Sequence, residues 1–165
     1  YCRTHCRKYI MLVDFNITDD QSRIWIFAAE QKLTNDQENH ILKSISDHLQ
    51  NWEAHKVPLT AGVTILENHF IIIALDETKN GASGCSIDTL QNKIQNLEKE
   101  LSISLLNRLN IFCRIEDTIK CIPTTKLSEN ANKDTLFYDL TIQKKSELSN
   151  WLKPIEGGWC ATIIL

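Results

Sequence analysis

The two most continuously apolar stretches of the chain predict the central strands of a sheet. Residues 23–29 (RIWIFAA) contain one charged residue, and residues 70–75 (FIIIAL) contain none. Both stretches are rich in β-branched and aromatic side chains, which is typical of strands that are covered on both faces. We therefore expect both strands to be buried along most of their length.

Two amphipathic helices alternate with these strands. Thr34 and Gln37 have the spacing of a capping box, which begins a helix that ends before Pro58. Residues 86–101 predict a second helix. Apolar residues recur on one side of each helix, at spacings that are mostly three or four: Ile41, Leu42, Ile45, Leu49 and Trp52 in the first, and Ile87, Leu90, Ile94, Leu97 and Leu101 in the second.

Shorter strands complete the predicted fold. Residues 62–66 form a hairpin with residues 70–75, and residues 111–115 form a hairpin with residues 118–122. The element order is then β-α-β-β-α-β, which predicts an α+β fold with a ferredoxin-like core, a mainly antiparallel sheet and two amphipathic helices. In that topology the two apolar strands are the central pair, and residues 62–66 and 111–115 are the edges.

The C-terminal part of the chain adds a β/α extension to this core. We expect a short helix near residues 126–132, a strand at 136–142, a helix around 146–152 and a strand or packed tail at 159–165. No linker or repeat divides the chain, so residues 11–165 are predicted to form a single domain. Residues 1–10 precede the only methionine and are predicted to be an N-terminal extension.

Composition narrows the functional classes. The chain has 42% hydrophobic and 24% charged residues and a net charge of -3, which is typical of a globular domain and argues against nucleic acid as the partner. No apolar run reaches the length of a membrane-spanning helix, so no membrane span is predicted. A chain of this length needs no disulfide bonds, so we predict that its six cysteines are reduced and that the protein is cytoplasmic.

The N-terminal extension carries half of a possible metal site. Cys2, His5 and Cys6 lie close together, but a second ligand pair at a suitable spacing is missing. We therefore predict no metal and no cofactor.

One edge of the predicted sheet brings several polar residues together. Antiparallel pairing of the two apolar strands places Arg23 near Asp76 and Glu77, and the loop at residues 81–88 folds over the same edge. The glycines of this loop permit positive φ or a close approach of the backbone. We predict a ligand-binding edge formed by Arg23, Asp76, Glu77, Gly81, Ser83, Gly84, Ser86 and Asp88.

The helix that begins in this loop suggests two chemistries. Its first N–H groups and positive dipole end favour a carboxylate or phosphate, and the same field favours Cys85 as a thiolate nucleophile. Alternatively, Ser86 simply caps the helix and Cys85 packs as a small hydrophobe. The carboxylates of Asp76, Glu77 and Asp88 either share a divalent cation or, as we favour, pair with basic residues or remain solvated.

The histidines provide no obvious base for Cys85. His40 and His48 are expected on the solvated side of the first helix. His69 lies at the opposite end of the strand at residues 70–75, which is roughly 20 Å long. No Cys–His pair is therefore predicted.

Several motifs resemble a known family. They are Ser22-Arg23-Ile24-Trp25-Ile26-Phe27, Asp76-Glu77 with Ser83-Gly84-Cys85-Ser86-Ile87-Asp88, and Leu105-Leu106-Asn107-Arg108, together with Trp151 and Trp159 in the C-terminal tail. From residue 11 onward the chain is similar to short bacterial proteins of unestablished function that are catalogued as "ABC transporter ATPase". The resemblance implies a shared fold and loop, but residues 81–86 lack the lysine and the glycine spacing of a phosphate-binding P-loop.

These observations favour a non-catalytic domain that binds a small anion or a protein partner at the loop of residues 81–88. The first alternative is a cysteine-dependent enzyme or redox sensor that uses Cys85. The second is an ATP-binding protein, as the catalogue label of the similar family suggests.

Overall fold

The computed structural model describes residues 12–164 as a mixed α+β chain. Its strands are β1 (Arg23–Ala28), β2 (Glu53–Ala54), β3 (Val57–Pro58), β4 (Thr60–Leu66), β5 (Phe70–Asp76), β6 (Asn110–Ile115), β7 (Thr118–Pro123), β8 (Leu136–Tyr138) and β9 (Leu152–Pro154). Its α-helices are α1 (Asn35–Gln50), α2 (Gly84–Leu101), α3 (Leu127–Asn130) and α4 (Ala161–Ile164). Within residues 12–164, no helix has the length and apolar character needed to cross a membrane.

The first sheet is antiparallel and has the strand order β1-β5-β4. The two apolar strands pair along their whole length, from Arg23 opposite Leu75 to Ala28 opposite Phe70. All residues of β5 except its last are buried. The predicted pairing of the two apolar strands is therefore confirmed.

Both predicted hairpins are present as well. β4 pairs with β5 and β6 pairs with β7, each in antiparallel register. Glu116 and Asp117, the two-residue turn between β6 and β7, both have positive φ, as a type I′ turn requires. Glu67 and Asn68 in the three-residue turn between β4 and β5 also have positive φ.

Helices α1 and α2 cover one face of the first sheet. Ile41 and Ile45 of α1 and Ile94 of α2 belong to the same buried cluster as Ile71 and Ile73 of β5. The predicted capping box begins α1: the N–H of Gln37 donates to Thr34 Oγ1 over 3.1 Å, and the N–H of Thr34 donates to Gln37 Oε1 over 3.0 Å.

A second antiparallel sheet covers the opposite face. Its strand order is β7-β6-β8-β9. Phe70 of β5 lies against an aromatic cluster from this part of the chain, with ring centroids 4.8 Å from Tyr138, 4.9 Å from Trp151 and 5.5 Å from Phe112. The first sheet is therefore buried between a helical layer and another sheet.

The ferredoxin-like topology is not confirmed, because β6 lies in the second sheet and not beside β1. Ile111, Phe112 and Cys113 of β6 are all buried, and they belong to clusters on two different faces of their own sheet. A strand with two covered faces occupies a central position, so the prediction that residues 111–115 form a partly exposed edge was wrong. The outer side of β1 instead receives the segment around residue 143, where the N–H of Ile24 donates to the carbonyl of Gln143 over 2.9 Å.

The C-terminal extension also differs from its prediction. The strand expected at residues 136–142 ends at Tyr138, the helix expected around 146–152 is a 3-10 helix over Lys145–Asn150 followed by β9, and the tail contains the short helix α4. Asp139 ends β8 because its Oδ1 accepts the N–H of Thr141 over 2.9 Å, and this side-chain hydrogen bond stabilises a turn in place of the ladder.

Asp139 is a buried carboxylate with a charged partner. Its Oδ2 accepts a hydrogen bond from Lys153 Nζ over 2.9 Å, and its residue is only 8% exposed. Burial raises the pKa of Asp139, but the hydrogen bonds from Thr141 and Lys153 lower it by more, so the net pKa lies below its ordinary value. Ionised Asp139 therefore stabilises the fold at neutral pH.

Replacing Asp139 with Asn should lower the free energy of unfolding at neutral pH by about 2 kcal/mol, the contribution of a charge-assisted hydrogen bond. Because the folded-state pKa is lowered, this contribution is present above the ordinary carboxyl pKa and is lost as the pH falls through the folded-state value. Urea unfolding across the acid range should show that the two proteins converge. The exposed Asp134→Asn variant is the control, and a pH-independent difference for Asp139→Asn would contradict the assignment.

Gly62 and Gly84 should respond oppositely to replacement by Ala. A Cβ at Gly62 would lie 2.7 Å from the carbonyl oxygen of Val13 and 2.9 Å from Phe15 Cα, whereas a Cβ at Gly84 meets no atom within 4 Å. We expect Gly62→Ala to destabilise the fold by about 1–3 kcal/mol. Gly84→Ala, in the first turn of α2, should be neutral or stabilise by up to about 1 kcal/mol. Thermal unfolding tests both, and equal stability of the two variants would contradict the packing at Gly62.

Candidate functional site

The predicted edge brings the start of β1 next to the end of β5. Arg23 Nη1 lies 3.7 Å from Glu77 Oε1, and both side chains are nearly half exposed. Asp76 instead forms hydrogen bonds within its own loop. Its Oδ1 accepts a hydrogen bond from the side-chain hydroxyl of Thr78 over 2.6 Å and another from the N–H of Thr78 over 3.0 Å. These hydrogen bonds from Thr78 lower the pKa of Asp76. Asp76 is therefore a turn-forming residue, whereas Arg23 and Glu77 form an exposed ion pair.

Helix α2 begins two residues earlier than predicted, at Gly84. Ser83 is its N-cap: the N–H of Ser86 donates to Ser83 Oγ over 3.1 Å, and the N–H of Ser83 donates to Ser86 Oγ over 2.8 Å. Ser86 is consequently buried in the first turn as the second residue of a capping box, and Ser83 is the N-cap in its place. Among the described residues, the N–H groups of Gly84 and Cys85 have no hydrogen-bond partner.

Two tryptophan side chains connect the start of α2 to Arg23 through a series of contacts. The Arg23 guanidinium lies 4.6 Å from the ring centroid of Trp25, and the Trp25 and Trp52 rings make an edge contact at 5.7 Å. Trp52 Nε1 then donates to the carbonyl of Ser86 over 2.8 Å. Two of the motifs that carry the family resemblance are thus joined through half-buried Trp25 and buried Trp52, which sequence spacing alone did not indicate.

The rest of the loop is open to solvent. Gly81, Gly84, Cys85 and Asp88 are exposed. No glycine in residues 12–164 has a positive φ, so the loop does not use the positive φ that its glycines permit. Asn80 Nδ2 anchors the loop by donating to the carbonyls of β2 and β3 over 3.3 and 3.1 Å. Because α2 begins at Gly84, Asp88 lies beyond its first turn, outside the region where the helix dipole favours a carboxylate most strongly.

Neither a metal cluster nor a thiol–imidazole pair is formed by the described residues. Over residues 12–164, no group of three Asp, Glu, His or Cys side chains is arranged to hold a metal ion; Cys2, His5 and Cys6 lie outside this range. His69 is buried in the turn before β5, with Nδ1 2.8 Å from the carbonyl of Glu67. The whole of β5 therefore separates His69 from Cys85, as predicted.

His48 is the exception to the predicted exposure of the α1 histidines. His40 is exposed and lies 2.8 Å from Glu100, but His48 is half-buried and its Nε2 has no hydrogen-bond partner within the described structure. Burial, followed by the nearby charge of Lys93, lowers the pKa of His48. His48 therefore lies on a side of α1 that is near Lys93 of α2, and not on the solvated side of α1.

A second concave feature, which sequence reasoning did not identify, opens between the two sheets. This feature, the inter-sheet cleft, has a volume of about 250 Å³. Its floor contains apolar side chains that are mostly buried, and its mouth carries polar and aromatic side chains that are mostly exposed. The floor is lined by Ile26, Ala28, Leu105, Ile111, Phe112, Tyr138 and Leu140, and the mouth by Asn107, Arg108, Asn110, Thr141 and Trp159.

The cleft exists because β1 has a short unpaired edge. Gln143 accepts the N–H of Ile24, and successive N–H groups on one side of a strand come from every second residue. The N–H groups of Ile26 and Ala28 therefore point toward the cleft, where no described strand pairs with them. At the far end, Glu30 Oε1 closes the cleft by accepting hydrogen bonds from the side chains of Asn107 and Asn110: 3.1 and 2.9 Å.

Three residues of the family-like motifs, Asn107, Arg108 and Trp159, lie at the mouth of the cleft. Asn107 Oδ1 accepts the N–H of Leu109 over 2.9 Å, and this turn presents Arg108 to solvent. Trp159 is 48% exposed and follows Gly158, whose Cβ position would clash with the Phe137 ring at 2.1 Å. The Leu105-Leu106-Asn107-Arg108 motif and Trp159 were therefore the signals in the sequence that could have indicated the cleft. Nothing in the sequence showed that these residues lie close together in the fold.

No protein-family model, curated protein or solved structure matches this chain. The resemblance to the "ABC transporter ATPase" family therefore remains a prediction. Two surfaces are candidates for function: the inter-sheet cleft and the loop edge, which consists of Arg23, Asp76, Glu77 and residues 81–88.

Proposed function

We propose that the protein is a non-catalytic binding domain and that the inter-sheet cleft is its small-molecule site. The observation that carries this proposal is the combination of a buried apolar floor, a polar mouth and an unpaired strand edge in one cavity. Ile26 and Ala28 are each 8% exposed and Phe112 is 1% exposed, so these floor side chains are largely shielded from bulk solvent and present an apolar surface to a ligand. Concave apolar sites with a few convergent polar groups are the usual form of small-molecule sites.

The loop edge is the second candidate, as a contact surface for a small anion or a protein partner. The exposed Arg23 and the unpartnered N–H groups of Gly84 and Cys85 favour it. Glu77 and Asp88 add negative charge to the same edge, which repels a free anion more than it repels a protein surface with its own basic residues. We therefore prefer the partner over the anion at this edge.

The two remaining alternatives have less support. A cysteine-dependent enzyme needs a base within hydrogen-bond reach of its thiol. The side-chain hydrogen bonds made by described histidines go to Glu100 and to the carbonyl of Glu67, and none joins a described histidine to Cys85. An ATP-binding site needs several donors for the phosphates, and the Ser83–Ser86 capping box uses part of this helix start. We propose neither as the principal function.

The cleft proposal predicts binding of a neutral aromatic probe, 2-phenylacetamide, that depends on Ala28. Titration followed by amide NMR should perturb the signals of Ile26, Ala28, Phe112 and Tyr138 in the parent protein. Ala28→Leu fills the floor and should abolish these changes, whereas the matched Ala82→Leu variant at the loop edge should retain them. Perturbation centred on residues 81–88, or binding that survives Ala28→Leu in a folded variant, would contradict the cleft as the site.

Cys85 should be alkylated by iodoacetamide much faster than Cys113 and Cys160. Cys85 is exposed, the other two are buried, and burial, followed by the neighbouring Cys160, raises the pKa of Cys113 to about 11. Peptide mass spectrometry of the folded protein at mildly alkaline pH measures the three rates. Because Cys85 lies outside the cleft, alkylated protein should still bind 2-phenylacetamide. Comparable rates at all three cysteines would contradict the burial of Cys113 and Cys160.

A further inference from the structure

We propose that the ligand of the inter-sheet cleft is a small organic carboxylate with one compact apolar group, and that Arg108 binds its carboxylate. This inference rests on the proposed function of the cleft and adds the chemical class of the ligand. It follows from three features of the cleft: a guanidinium at the mouth that has no acidic partner among the described residues, an apolar floor of limited volume, and a strand edge that is closed at both ends.

Arg108 differs from the other described arginines in its lack of an acidic partner. Arg23 lies 3.7 Å from Glu77, and Arg114 donates to Glu67 over 3.0 Å. Among residues 12–164, no carboxylate lies within 4.0 Å of a nitrogen of Arg108. A guanidinium without a protein partner at the mouth of an apolar cavity can accept an external anion, and its planar pair of N–H groups matches a carboxylate.

The turn that carries Arg108 is held in place on both sides. Asn107 donates to Glu30 through its side-chain nitrogen and accepts the N–H of Leu109 through its oxygen, and Asn110 donates to the same oxygen of Glu30. The backbone on either side of Arg108 is therefore ordered by hydrogen bonds before any ligand arrives. Such preorganisation reduces the entropy lost on binding.

The floor selects a compact apolar group. The cleft volume of about 250 Å³ lies below the range of roughly 300–1,000 Å³ that is typical of sites for drug-sized ligands. One aromatic ring or a short branched chain can contact Ile26, Ala28 and Phe112, and the half-exposed ring of Trp159 can cover its outer side. A phosphate dianion is less suited, because a single guanidinium leaves most of its charge uncompensated.

The closed ends of the edge favour a small molecule over a peptide. Gln143 occupies the edge at Ile24, and the hydrogen bonds of Glu30 with Asn107 and Asn110 close the other end. Only the stretch from Ile26 to Ala28 remains open, which is shorter than the strand that β-augmentation normally adds. The free N–H groups of Ile26 and Ala28 can instead donate to an oxygen of the ligand.

The test compares phenylacetate with its neutral isostere 2-phenylacetamide, by NMR titration of the full chain. The parent protein should bind phenylacetate at least about tenfold more tightly, because a hydrogen bond to a charged group is stronger than one between neutral groups. Arg108→Gln should remove this preference and leave the affinity for the amide unchanged. Arg23→Gln, which changes an arginine at the loop edge, should retain the preference, and unchanged thermal unfolding would show that Arg108→Gln is folded.

Each contrary result has a separate meaning. Equal binding of both probes to the parent protein would support the cleft as the binding site and overturn the proposal that its ligand is a carboxylate. A preference for phenylacetate that survives Arg108→Gln would overturn the role of Arg108. Binding of neither probe would overturn both the ligand class and the cleft as the small-molecule site.

Discussion

The burial of β5 on both faces is the constraint on which the rest of the structure depends. Its residues alternate between two cores: Ile71, Ile73 and Leu75 pack under the helices, and Phe70 and Ile72 pack against the second sheet. Because side chains in a strand alternate with a period of two, a shift of one residue would exchange the two sets. The strand therefore requires two different covering layers, and the remaining elements supply them.

The second covering layer explains why a cleft lies beside β1. A sheet that packs face to face on another sheet buries apolar area without extending the first sheet by a strand. β6 therefore contributes Phe112 to the core, but it leaves the outer edge of β1 to a short contact with the segment around Gln143. The combination of a covered face and an uncovered edge forms a cavity with an apolar floor and free backbone donors.

The loop edge and the cleft use their polar residues differently. At the loop edge most polar groups satisfy one another: Ser83 with Ser86, Asp76 with Thr78, and Arg23 with Glu77. At the cleft the hydrogen bonds made by Asn107 fix the turn that carries Arg108. Arg108 itself has no acidic partner among the described residues. This difference is why the cleft, and not the more conspicuous glycine-containing loop, is the favoured small-molecule site.

Local signals in the sequence determined the elements of this protein. The capping box at Thr34, both hairpins and the two amphipathic helices depend on contacts between residues that are near in sequence or on simple periodicity. The pairing of the two apolar strands joins residues far apart in sequence, and the sequence indicated it only because both strands are apolar enough to require central positions. Tertiary structure alone decided which sheet contains β6, how Trp52 reaches Ser86, and that Arg108 and Trp159 share one cavity with Ile26. Periodicity shows that a face is buried but not which element covers it, so sites formed between layers become visible only when the layers are packed.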